Sequence, residues 1–150
     1  MKQNRGKQFE KVSREQLEKA GYFVLRLQDP MGGFAGVSNS CDLVAYNGDV
    51  LYLIECKAVH GKALNFKSHI RPNQLNGMCA ALEKQDNIRA GFLIWFIDYD
   101  RIIYISAKVI ERAQINGVKS VYADTAAGTE IPATKKRVLL VPDFSNTELR

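Results

Sequence analysis

Three residues of this 150-residue chain have the types and spacing of a reactive cluster: Asp42, Glu55 and Lys57. Glu55 and Lys57 interrupt the apolar run "VLYLIECKAV" (residues 50–59), one residue apart. Side chains of a strand alternate between faces, so both leave the side that also carries Leu51 and Leu53. Asn47-Gly48 separates this run from a shorter one, "DLVAY", and predicts a hairpin, because both residues tolerate positive φ. With Asn47-Gly48 as a two-residue loop, Tyr46 pairs with Asp49, and Asp42 falls opposite Leu53, diagonal to Glu55. Diagonal neighbours lie roughly 7–8 Å apart, near enough for two carboxylates to converge on one ion.

Two carboxylates and a backbone carbonyl suit a hard cation such as Mg²⁺, which keeps several waters in phosphate-handling sites. Such an ion polarises a phosphoryl oxygen and acidifies a bound water. Lys57 is placed to orient or deprotonate that water, or to stabilise negative charge in the transition state. A lysine beside two acids stays protonated, which favours the electrostatic role. The plainer alternative is a Glu55–Lys57 salt bridge on a half-exposed face, with Asp42 an ordinary turn residue. An apolar strand, a glycine-rich loop before it and an aspartate at the hairpin position together favour the metal site.

The elements that must hold these residues follow from periodicity. "GKQFEKVSREQLEKAG" places Phe9, Val12, Leu17 and Ala20 on one helical stripe and stops at Gly21. "YFVLRL" predicts a short strand, and "QDPMGGFAGVSNS" predicts an exposed loop. After the hairpin comes a basic loop with Lys62, Lys67, His69 and Arg71. Pro72 then opens a helix whose Leu75, Met78, Cys79 and Leu82 form a buried stripe. "GFLIWFI" and "RIIYIS" predict an antiparallel pair, "AKVIERAQ" a short helix, and "RVLLV" a last strand of open placement. The order specifies one α/β domain over residues 1–150 with a mixed central sheet flanked by helices.

Composition agrees with a globular protein: 46% hydrophobic and 25% charged residues. No apolar run approaches the roughly 20 residues of a membrane span, and the basic, polar "MKQNRGKQFEKVSREQ" has no signal-peptide core. Cys41, Cys56 and Cys79 form no CxxC pair, which speaks against zinc and for a reducing, cytoplasmic setting. The net charge of +5 suits an anionic partner. Positive charge gathers at Lys2, Arg5, Lys7 and Lys11, in the loop after the charged strand, and at Lys135, Lys136 and Arg137.

"CDLVAYNGDVLYLIECK" resembles the D-x(n)-E-x-K core of the PD-(D/E)xK nucleases, the restriction-endonuclease-like fold. With "NRGKQFE", "LNFKSHIRPNQLNGM" and "GFLIWF" leading into "IIYISA", the chain resembles Holliday junction resolvases of the RecU and archaeal types. The resemblance covers about residues 4–112; the segment 117–150 is an extension without assigned role. It implies that Asp42, Glu55 and the Cys56 carbonyl bind metal, Mg²⁺ with Mn²⁺ as a substitute, and that Lys57 is the catalytic lysine. It further implies that Glu10 assists the metal or orients Lys57, and that Gln74 reaches the site or the scissile phosphate. For Glu10 the alternative is a surface charge, and for Gln74 a solvent-facing first-turn residue.

Cys41 stands where many members carry proline, and "QDPMGGFAGVSNS" is far shorter than the RecU stalk, as in the archaeal type or a compact phage version. Arg5, Lys7, Lys62, Lys67, His69 and Arg71 are the expected phosphate contacts. Phe34 is either a wedge at a branch point or a loop residue packed on the domain. The implied protein is a homodimeric endonuclease cutting branched DNA, chiefly four-way junctions by paired symmetric nicks. It would work in the cytoplasm of a bacterial or phage-infected cell. Alternatives are a flap or restriction-like nuclease of the same fold, and a DNA-binding protein that does not cleave.

Overall fold

The computed structural model describes residues 4–27 and 41–150. The glycine-rich stretch with Phe34, as well as Lys2, lies outside them. The first helix, α1 (Arg5–Lys19), starts where the Asn4 side chain accepts the Lys7 N–H at 3.1 Å, and ends before Gly21 at φ +99°. A short strand, β1 (Phe23–Arg26), pairs antiparallel with β2 (Leu43–Tyr46), and β2 pairs with β3 (Leu51–Val59).

The chain then crosses over through β4 (Ala63–Asn65), a single turn α2 (Phe66–His69) and α3 (Pro72–Leu82), which opens on its proline. It returns as β5 (Ile88–Phe96), parallel to β3, and turns back into β6 (Arg101–Ser106). After α4 (Ala107–Ile115), β7 (Ser120–Tyr122) pairs with β4 and β8 (Thr129–Ile131) joins β6. A hairpin of β9 (Ala133–Lys136) and β10 (Leu139–Pro142) ends the fold. The central sheet runs β1-β2-β3-β5-β6-β8.

Each face of that sheet buries its own core. On one side Val59, Phe92, Ile94, Phe96 and Ile103 pack beneath α3 and α4, with Leu75, Met78 and Ile110. On the other, Tyr52, Ile54, Leu93 and Trp95 meet Phe9, Val12 and Leu17 of α1 and Leu140 of β10. Central β5 contributes to both, which is why "GFLIWF" reads as unbroken apolar sequence rather than as an alternation.

Two expectations change. The basic stretch after β3 is not a loop: it forms β4 and α2, too short to announce themselves by periodicity. The hairpin turn also sits one residue later than Asn47-Gly48 implies, which shifts the strand register by two. Tyr46 pairs with Leu51 and Val44 with Leu53, because the Asn47 side chain accepts the N–H groups of Asp49 and Val50 at 2.9 and 2.8 Å. Asn47 therefore caps the turn from its edge, with Gly48 at φ +103° inside it.

Candidate active site

The corrected register moves Asp42 from beside Leu53 up to Glu55. The last ladder pair is Leu43 with Ile54; Asp42, one residue beyond, gives its N–H to the Ile54 carbonyl at 3.0 Å. Its carboxylate Oδ2 then accepts the Cys56 N–H at 2.9 Å, and its carboxyl group is hydrogen-bonded to that of Glu55. Leu27, just past β1, donates to the Asp42 carbonyl at 2.8 Å. Three strands thus converge on this one residue.

Glu55 is buried, and its Oε2 lies 3.2 Å from Lys57 Nζ, on the sheet face that packs beneath α3. Burial, then the Glu55 carboxylate, push the Asp42 carboxyl up to about 7, against the pull of the Cys56 N–H and Lys57. Two carboxylates pressed together out of water need either a proton or a cation between them. That demand, with oxygen donors only, fits a hard divalent ion. Among the described residues no cluster of three or more His, Cys, Asp or Glu side chains is disposed to hold a metal. A site here therefore rests on two carboxylates, main-chain oxygen and water.

Buried polar side chains cost several kcal/mol unless something answers them, on the order of 2–7 for an unpaired amide. Among the described residues those buried are Ser13, Glu55 and Gln74. Gln74 lies in the first turn of α3, and both its amide atoms lack a partner there. The solvent-facing alternative for Gln74 falls. Ser13 of α1 lies against the Cys56 thiol, beneath the site, and carries no signal in the sequence beyond its place on a buried stripe.

Cys56 and Ala58 pack on the side of α1, opposite the face of Leu53 and Val59 that carries Glu55 and Lys57, and among the described residues no ion pair joins Glu10 to Lys57. Glu10 is instead ion-paired with Arg26 of β1, whose guanidinium is raised by that pairing and, more weakly, by the charge of Asp42. Arg26 was not singled out from the sequence, although a charge inside "YFVLRL" is the same kind of signal as Glu55 inside its own strand.

The expected phosphate contacts are scattered. Lys62, Lys67 and Arg71 are exposed along β4, α2 and the entry to α3. His69 is partly committed to structure, its Nδ1 accepting the Asn65 N–H at 3.0 Å. Lys7 is exposed on the first turn of α1, and Arg5 donates to Gln8 at 3.1 Å. No helix among the described residues is long and apolar enough to cross a membrane.

Among curated proteins none matches the chain. Among solved structures, a Holliday junction resolvase, Hjc, from the hyperthermophilic archaeon Archaeoglobus fulgidus is similar. Its TM-score is 0.56 at 22% identity, over 81% of this chain and 89% of that one. Identity that low speaks for the fold alone, and the fold is restriction-endonuclease-like, as the sequence implied. The family described as archaeal Holliday junction resolvase (Hjc) matches residues 1–134, well past the expected limit near 112. That family is archaeal, which overturns the expected bacterial or phage-infected host. The chain belongs to the archaeal Holliday junction resolvase family, and it is a nuclease acting on branched DNA.

Proposed function

We propose that this resolvase cuts four-way junctions by paired, symmetric nicks, as a homodimer, with Mg²⁺ held by Asp42, Glu55 and the Cys56 carbonyl. One observation supports this above the others: the Asp42 and Glu55 carboxyls touch, half out of water, with Lys57 against the second. Bound Mg²⁺, or Mn²⁺ in its place, would polarise the phosphoryl oxygen and acidify the attacking water. Cys56 N–H and Ile54 carbonyl fix Asp42 at both ends, so its carboxylate does not swing away as substrate enters. Lys57, steadied by Glu55, keeps its ammonium where negative charge gathers on the oxygens around the pentacoordinate phosphorus. Water attacks in line, opposite the leaving 3′ oxygen.

Gln74, its amide unanswered in the free protein, is our candidate for a hydrogen bond to the scissile phosphate. Glu10 acts at one remove: through Arg26 it steadies β1, whose continuation holds the Asp42 main chain. Lys62, Lys67 and Arg71, with Arg5 and Lys7, would contact phosphates along the arms; His69 would contribute only its free ring nitrogen. Residues 1–150 are read as one nuclease domain working in the cytoplasm, where its DNA lies.

The test is cleavage in Mg²⁺ of an end-labelled four-way junction, a flap and a linear duplex, with light scattering to count subunits. Symmetric nicks in the junction, made by a dimer and absent in Asp42→Asn, are the expected result. Preferential cutting of the flap or duplex would discard the junction, and cutting by a monomer would discard the dimer.

A further inference from the structure

Two basic runs far apart in sequence meet in space. Leu140 of β10 packs into the same core as Phe9 and Val12 of α1. That contact carries the tip of the β9–β10 hairpin to the N-terminal half of α1. Arg137 and Val138, the two residues of the hairpin loop, line shallow clefts on both sides. One, of about 400 Å³, runs along Gln8, Lys11 and Glu15 of α1. The other, of about 380 Å³, is lined by Arg5, His60, Asp98, Asp100 and Lys135.

The acids of the second cleft are already occupied. Asp98 accepts the Gly61 N–H at 2.6 Å and meets the His60 ring at 3.2 Å, and Asp100 is paired with Lys135. Lys136 and Arg137, by contrast, are exposed and have no carboxylate partner among the described residues. Arg137 also stands at φ +60°, in the first position of a two-residue hairpin loop, where glycine is the usual occupant. An arginine there carries a backbone penalty that glycine would not.

The location has a direction as well. His60 follows directly on β3, three residues beyond Lys57, or about 10 Å along an extended chain. Moving from the acidic cluster along β3 therefore leads into the cleft and onto the hairpin tip. The geometry points to a phosphate-binding surface for a duplex arm, made by Lys136 and Arg137 of the hairpin tip with Arg5 and Lys11 of α1. The tip lies beyond residue 134, outside the family match. This surface rests on the resolvase reading and extends it, giving the C-terminal hairpin the task of holding the arm that leaves the cut strand.

The experiment measures affinity for a four-way junction and for a linear duplex of equal arm length across a salt series. It uses the full chain as Asp42→Asn, so that nothing is cut. Lys136→Ala with Arg137→Gly is then added. Glycine removes the charge while suiting the turn, so the thermal midpoint should hold or rise. The slope of log K against log salt should fall in magnitude by about 2, on junction and duplex alike, because backbone contacts read no branch. An unchanged slope overturns the proposal, as does a loss confined to the junction. If the protein with Asp42 intact cuts no junction, the resolvase reading itself fails, a result visible before either tip substitution is made.

Discussion

One lysine meets two acids at two places in this protein. Lys57 lies 3.2 Å from Glu55, which touches Asp42; the Lys57 and Glu55 side chains are 20% and 7% exposed. Lys108 lies 2.9 Å from Glu83 and 3.3 Å from Glu111, tying α3 to α4, with Glu83 70% exposed. The charge count is the same, and the outcomes are opposite. The acids around Lys108 are open to water: the hydrogen bonds that Lys108 donates to both raise the lysine, and the Cys79 thiol and Lys108 together lower Glu111. At the sheet the same ratio of charges is desolvated, and Asp42 is driven up rather than down. Burial, more than the pairing of lysine with glutamate, separates a reactive cluster from a surface clamp.

The comparison breaks most sharply at Asp42. Asp42→Asn removes the charge that calls for a cation, and single-turnover junction cleavage should fall roughly 10³-fold while junction binding persists. Lys57→Ala should slow the same step by roughly 10²-fold, with Lys57→Arg a poor rescue, since a planar guanidinium does not reproduce a point charge. Gln74→Leu separates structure from function by sending them in opposite directions. Removing an unanswered buried amide should raise stability by about 1–3 kcal/mol in denaturant unfolding. Cleavage should nonetheless slow, roughly tenfold.

A fourth prediction sharpens the electrostatics. Without metal, folded Asp42 holds a proton that the unfolded chain, with an ordinary carboxylate, releases near pH 4. The stability this contributes is present below that point and lost as pH rises through about 7. The thermal midpoint of metal-free wild type, minus that of Asp42→Asn, should fall across that window, and added Mg²⁺ should offset the fall. Lys108→Ala should do least: cleavage unaltered and a midpoint within about 2 °C of wild type.

The alternation of β3 placed Glu55 and Lys57 on one face from sequence alone, because a period of two leaves no choice. Asp42 was assigned the wrong partner and still the right face. The turn lies one residue from its expected place, which shifts the register by two, and a register error of two preserves the side that an error of one would reverse. The misplacement came from Asn47, which reads as a turn residue but caps the turn from outside. Glu10 could not be placed, since the helix pattern fixes its stripe but says nothing of which sheet face α1 covers. Ser13 needed the tertiary fold, and so did β4, α2 and β7, whose three or four residues are too few to show a period. The meeting of Arg5 and Lys11 with Lys136 and Arg137 is likewise a fact of packing, not of sequence distance.

Cys56 divides its labour in a way that bears on how such a site changes over time. Its main chain holds the Asp42 carboxylate, while its side chain belongs to the core under α1. Every residue except proline offers an N–H, so substitution at this position can refit the helix without disturbing the anchor. The site thus draws one of its fixed points from something mutation cannot easily remove. Drift at Cys56 should be read first in thermal stability, and proline there should abolish cleavage in a chain whose three acidic and basic site residues are all still present.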